Sequence, residues 1–403
     1  MHFFLPVRAL WLAWKSGFKY PEMMINFLAK IVLTAFISLL VISCEKKNEE
    51  TIVPAEVNES ELKVFNWFKH MQLENGTLPS SVSSNVSLYD NALAAMVFMI
   101  YDDIPRAERI FDFFDSRIES EFHADSGGFS QFRYKNGNPV FKHQWMGDNA
   151  WLLIALNNYK AQTGSAKYDR LASALENWIV NLQDTDGGLF SGYEGNNRIN
   201  LKVTEGIIDA FNAVPGYTDF HKKILQFLEK ERWDADISSL ITGWDIYNYA
   251  LDLHPWAYCI FESFPVETLI AADMYLVTIA TEFHEEEVTG YCFDLDKDNI
   301  WFEGVGQMVV AFNEAGLYDQ SSFYLSELEK VMIQNPDIDS ILGITYASNG
   351  NSTRFGSGEL YEPEYTESFV SSGAWYLFGV KKFNPFGVEK KKMMPEGDRF
   401  WKR

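Results

Sequence analysis

The chain has 403 residues, 47% of them hydrophobic and 16% aromatic, and 56 acidic against 34 basic side chains leave a formal net charge of −22. Acidity on this scale repels a polyanion and argues against nucleic acid as a partner.

Near the N-terminus, Lys30 precedes an apolar run from Ile31 to Ser43 that ends at Cys44, and Val41-Ile42-Ser43-Cys44 fits a bacterial lipoprotein signal. The run is short for a membrane crossing, and the polar stretch after Cys44 reads as a tether between lipid and domain. An uncleaved anchor is the alternative. Met23 or Met24 would make a more ordinary start than Met1, and removal of residues 1–43 brings the charge to −25. The expected organisation is a leader and signal over 1–43, a tether over 44–57, one domain over 58–385 and a basic tail over 386–403. The protein would be exported and anchored through lipidated Cys44 to a bacterial membrane, facing the periplasm or the outside. Beyond Cys44 only Cys259 and Cys292 remain, either paired or as free buried thiols.

An acid followed by an apolar segment then returns six times, usually beside an aromatic. The acids are Asp90, Asp148, Glu205, Asp252, Glu303 and Glu367, separated by 58, 57, 47, 51 and 64 residues, a loose period that marks repeated supersecondary units. Segments such as Ala150 to Asn157 are apolar nearly all round and predict helices enclosed on every side. Between them lie amphipathic segments over 61–72, 105–121, 166–183, 219–231, 266–284 and 320–334. In 166–183, Tyr168, Leu171, Leu175, Trp178 and Leu182 recur at helical steps, and Pro105 suits a first helical turn. Short links lead from inner to outer helices and long loops lead back, so all the long loops gather on one face around the N-termini of six inner helices.

Alternating inner and outer helices, Gly-Gly-aromatic loops and acidic aromatic motifs at inner-helix starts resemble the six-hairpin (α/α)6 toroid superfamily, which includes many glycoside hydrolases and some polysaccharide lyases. The resemblance spans most of residues 58–382. It implies an all-α fold of six helical hairpins, in inner and outer rings, and a sugar cleft lined by aromatics and catalytic carboxylates at the long-loop end.

Glycoside cleavage needs a carboxylic acid to protonate the leaving oxygen and a carboxylate to activate water or attack. Asp148 lies between Trp145 and Trp151, Glu303 follows Trp301 and Phe302, and Glu205 has Asp209 one turn later on the same face. These contexts make Asp148, Glu205 and Glu303 the catalytic candidates, with Tyr89, Asp90, Trp145, Asp209, Trp256, Trp301 and Tyr365 as substrate-binding residues. The competing reading of each acid is an ordinary helix cap. Asp294 to Asp298 has alternating acids, but Asn299 occupies the turn-glycine position of a calcium loop, so no metal or cofactor is expected. The leading reading is a lipid-anchored glycoside hydrolase acting on an oligo- or polysaccharide. The alternatives are a lyase, which would need a Tyr or His base and cations around a uronate, and a glycan-binding toroid without catalysis.

Overall fold

Helices that are apolar on every face must be enclosed, and the twelve α-helices among the described residues are arranged to do this. The computed structural model describes residues 58–403 apart from 125, 245, 246, 282–285, 336, 337 and 351–364. Cys44, the leader and the tether lie outside the described residues. So do Glu362 and Glu364.

The inner helices are α2 (Leu88–Ile100), α4 (Met146–Thr163), α6 (Thr204–Ala213), α8 (Leu253–Ile260), α10 (Phe302–Glu314) and α12 (Val370–Val380). The outer ones are α1 (Glu59–Met71), α3 (Ile104–Asp115), α5 (Asp169–Asn181), α7 (Asp219–Glu231), α9 (Glu267–Ala271) and α11 (Tyr318–Lys330). Each inner helix packs on the next in chain order, and α12 packs on α2, so the inner ring closes. Outer helices α3 to α11 each pack on the inner helix before them, while α1 packs on α12 and joins the two ends.

Local chemistry matches this division. Every residue from Ala92 to Met99 of α2 and from Ala150 to Leu156 of α4 is buried. In α5 only one stripe is buried, with Leu171, Leu175, Trp178 and Ile179 facing the ring. Gly164 ends α4 in the left-handed conformation at φ 66°, which glycine adopts without a side-chain clash.

The fifth outer helix is much shorter than the expected 266–284. After α9 and one 3-10 turn, Leu276–Ala280 becomes a strand paired antiparallel with the strand Glu287–Tyr291. The β-branched run Val277-Thr278-Ile279 favours the extended chain, and Thr278 and Thr289 meet across the pair at 2.9 Å. Other short strands stiffen the remaining long loops. Among them the strands His143–Trp145, Gly192–Glu194 and Asn197–Ile199 form a three-stranded antiparallel sheet in which Trp145 lies opposite Gly192. A Cβ at Gly192 would stand 1.9 Å from the Gln144 carbonyl oxygen, so only glycine lets these strands approach.

Residues 386–403, expected as a basic tail, instead pack on the ring. Phe386 is fully buried, with ring centroids 4.9 Å from Trp151, 6.1 Å from Trp256 and 6.4 Å from Trp375, side chains of three different inner helices. Asn158 and Asn212 donate to the carbonyls of Pro385 and Phe386 at 2.9 and 3.0 Å. The basic Lys391 is itself buried, donating to the carbonyls of Asn212 and Val214. Apolar burial and satisfied backbone groups thus outweigh the charge that made the segment look like a solvated tail. Phe386→Ala should lower the unfolding free energy by about 3–5 kcal/mol, with helix content retained, in urea titrations followed by circular dichroism. A loss below about 1 kcal/mol would mean that Phe386 does not seal the ring.

Candidate active site

The six inner helices present their N-terminal turns at one end of the ring, where a cavity of about 420 Å³ opens. Its wall carries the carboxyls of Asp148, Glu194, Glu205, Asp209, Asp252 and Glu303, and no lysine or arginine among the described residues. Aromatic rings fill much of the rest. They include Tyr89, Trp145, Trp151, Trp244, Tyr247, Trp256, Trp301 and Tyr346.

The acids are not conventional caps. Trp145, Val203 and Trp301 occupy the N-cap positions of α4, α6 and α10, and none makes a side-chain capping bond. Asp148, Glu205 and Glu303 lie inside the first turn instead. Asp252 does sit at the N-cap of α8, yet its side chain makes no capping bond either. Glycines let the first turns of α4 and α6 meet closely: a Cβ at Gly147 would lie 3.4 Å from both Asp209 Oδ2 and Gly206 Cα. Asp209 therefore stands beside the turn that bears Asp148.

Glu303 is the most firmly held of these groups. Tyr89 O–H donates to its Oε1 at 2.7 Å and Gln307 Nε2 donates to the same oxygen at 3.1 Å. Trp375 Nε1 in turn donates to the Tyr89 oxygen at 2.9 Å. Burial pushes the Glu303 carboxyl up to about 7, against the lowering influence of Tyr89, Ser371 and Gln307. Burial also carries Asp148 up to about 7, opposed by Gln131. Glu205 reaches about 7 for the same reason, opposed by its own backbone N–H and by Arg232. Asp209 is held well above the carboxylate range by burial first, then by the charges of Asp252, Glu205 and Asp148. Asp252 is raised likewise by burial, then by Glu205 and Glu303. At neutral pH this wall holds a mixture of ionised and protonated carboxyls.

Of the residues singled out from sequence, Asp148, Glu205, Glu303, Tyr89, Trp145, Asp209, Trp256 and Trp301 line the cavity. Trp145 is half-buried and stacks on His143 at 5.5 Å, whereas Trp256 and Trp301 are nearly buried and offer little more than edges. Asp90 and Tyr365 are not among the lining residues. Tyr89 takes the cavity-facing direction at the start of α2, and one helical step turns the next side chain by about 100°, which sends Asp90 into the wall. Tyr365 lies in the loop before α12, against Gly350. Glu367, the last acid of the repeat, also precedes α12 and accepts from Ser83 N at 2.9 Å.

Asp252, Tyr247 and Tyr346 were not singled out as site residues. The repeat marks Asp252; the two tyrosines come from loops with no repeat to mark them. Cys259 and Cys292 are both free and buried. Cys292 Sγ lies 3.7 Å from Asp294 Oδ1 and 3.6 Å from Asp296 Oδ1, and burial with the neighbouring acids keeps the thiol protonated, up to about 11.

No family model matches the chain, and no curated protein matches it by sequence. Solved structures do match. A sugar epimerase from a ruminal bacterium aligns with a TM-score of 0.57 at 12% identity, over 80% of this chain and 97% of that chain. An α-amylase from Clostridium perfringens gives 0.55 at 13% identity, over 82% and 100% of the two chains. A glycosidase gives 0.53 at 13% identity, over 81% and 97%. The chain is an (α/α)6 toroid. At these identities the likeness concerns the toroid's fold alone.

Within the toroid, Asp90 offers a test of the buried acids. It is fully buried, and burial first, then Glu303 and Asp148, push it up to about 8, against a hydrogen bond from Ser80. As pH rises from about 4 to about 8, the unfolded chain has lost a proton that the folded chain keeps, so this group's contribution to stability falls. Asp90→Asn removes that loss. Its thermal midpoint relative to the wild type should be higher near pH 9 than near pH 5; the same difference at both pH values would count against a buried, protonated Asp90.

Proposed function

We propose that the protein is a carbohydrate-active enzyme, a glycoside hydrolase that cleaves an oligo- or polysaccharide in this cavity. One observation carries the reading: carboxyls raised to about neutrality converge from several inner helices on a cavity faced with aromatic rings. Aromatic faces suit the apolar faces of sugar rings, and carboxyls of mixed protonation suit acid–base cleavage. Solved structures of the same fold described as glycosidases, one of them in complex with glucose, support it.

In the closed inner ring α4 and α10 stand opposite one another, which places Asp148 and Glu303 on facing walls. With neighbouring helices about 8–10 Å apart, opposite axes are separated by roughly 16–20 Å, leaving room for a sugar and a water between the side chains. Glu303, oriented by Tyr89 and Gln307, is assigned as the base that takes a proton from water. Asp148 is assigned as the acid that protonates the leaving oxygen, and burial, with Asp252 and then Glu205 nearby, favours the protonated form of Asp209. A lyase acting on a uronate would need cations at the carboxylate, and the wall offers no lysine or arginine among the described residues.

Asp148→Asn, Glu205→Gln and Glu303→Gln should retain the fold, and the first and last should each lose roughly 10²–10⁴-fold in turnover on a substrate found with a glycan panel. The rate should fall below neutral pH as Glu303 gains its proton and above it as Asp148 loses its own, giving a bell-shaped kcat/KM profile centred near about pH 7. Undiminished turnover in all three variants would remove these residues from the chemistry. Glycan binding without turnover by the wild type would favour a binding toroid, and isomerised products without new reducing ends would make it an epimerase.

We also propose that Cys44 is the lipidated first residue of the mature protein, on the strength of the apolar run and the Val-Ile-Ser-Cys sequence. Cys44→Ala should accumulate as unprocessed precursor or leave the membrane fraction. Normal processing and membrane retention of that variant would sink the idea.

A further inference from the structure

The cavity wall has an imbalance that the proposed cleavage does not use. Six carboxyls face a space whose described lining has no lysine or arginine and one histidine, His143. The Arg232 guanidinium, whose charge acts on Glu205, donates to the carbonyls of Glu231 and Lys202 at 2.9 and 3.2 Å and does not line the cavity. The six converging helix N-termini supply about half a positive charge each, which offsets only part of the charge of six ionised acids.

Asp148 Oδ2 and Asp209 Oδ1 lack a hydrogen-bond partner among the described residues, and so do oxygens of the two acids nearest Tyr247. Asp252 is more than nine-tenths buried and lines the cavity, and its Oδ1 has no hydrogen-bond partner among the described residues. Oε2 of Glu205 is in the same position. Tyr247 lies close enough to feel the charges of both. Two unpartnered carboxyl oxygens beside an aromatic ring form a receptor for a compact cation with several donors.

Resting on the reading of this cavity as a sugar site, we propose that its ligand is an amino sugar with a free amine, bound as the ammonium ion at Asp252 and Glu205 against Tyr247. An ammonium supplies three N–H donors and a full charge, and so can pair with both carboxyls while allowing them to ionise. A hydroxyl supplies one donor and no charge. An acetylated amine supplies one donor, no charge and added bulk. A uronate or a phosphorylated sugar would meet the acids with charge of the same sign.

The test is isothermal titration of the full chain with three oligosaccharides of equal length near neutral pH: a glucosamine oligomer, an N-acetylglucosamine oligomer and a cello-oligosaccharide. The amine oligomer should bind at least about 10-fold more tightly than either other, an advantage that shrinks as salt is added. Asp252→Asn should remove most of the preference and Asp252→Glu should keep it, with circular dichroism confirming that both fold. Equal or tighter binding of the neutral or acetylated oligomer overturns the proposal, as does a failure of all three to bind. Turnover of a neutral glycan without an amine preference would overturn amine recognition and leave the hydrolase standing. Amine binding without turnover of any glycan would do the reverse.

Discussion

The inner ring closes because its helices are largely apolar below the first turn, with acids concentrated in or next to that turn. Below it, Ala, Leu, Val and Phe meet their neighbours on nearly every face. In the first turns the constraint reverses. Six helices of one polarity bring six positive dipole ends to the same place, and acids can be desolvated there at a cost that would be prohibitive elsewhere in the ring. Closure and site are thus two consequences of one pattern.

The two ends of the ring are finished by different means. At the acid end the long loops fold into short hairpins that carry His143, Trp145 and Glu194 to the rim. On the side of Trp151 and Trp256 away from these loops, the C-terminal segment inserts Phe386 among rings that also form the cavity wall. A substitution at Phe386 would therefore disturb the wall as well as the packing. The chain of donors from Trp375 through Tyr89 to Glu303 fixes one carboxyl, while Asp148, Glu205, Asp209 and Asp252 each have an oxygen without a hydrogen-bond partner among the described residues.

Raised carboxyls also act on stability. Each acid whose folded value lies above its unfolded one makes the folded state less favourable as pH climbs between the two. The cavity keeps several such acids, a cost to folding that a purely structural ring would have no reason to retain. Asp90 shows the same tension away from the lining, raised by burial and by its neighbours Glu303 and Asp148.

Much of this was legible in the amino-acid order. The recurrence of Asp90, Asp148, Glu205, Asp252 and Glu303 before apolar segments, with amphipathic segments between, is a local pattern, and local pattern determines which helices are enclosed and which lie outside. The asymmetry of loop lengths then determined which end would hold the cavity. Other features depended on contacts between residues far apart in the chain. The strand at Leu276–Ala280 needed its partner at Glu287–Tyr291, and Phe386 needed three tryptophans from three helices before a basic segment could become a plug. Whether an acid caps its helix or faces the cavity turns on one step of about 100° around the helix and on which neighbour stands opposite. Asp148 and Asp90, each third in its helix, part company for the second reason: Asp148 lines the cavity and Asp90 is enclosed by the ring, a difference of packing that no spacing along the chain encodes.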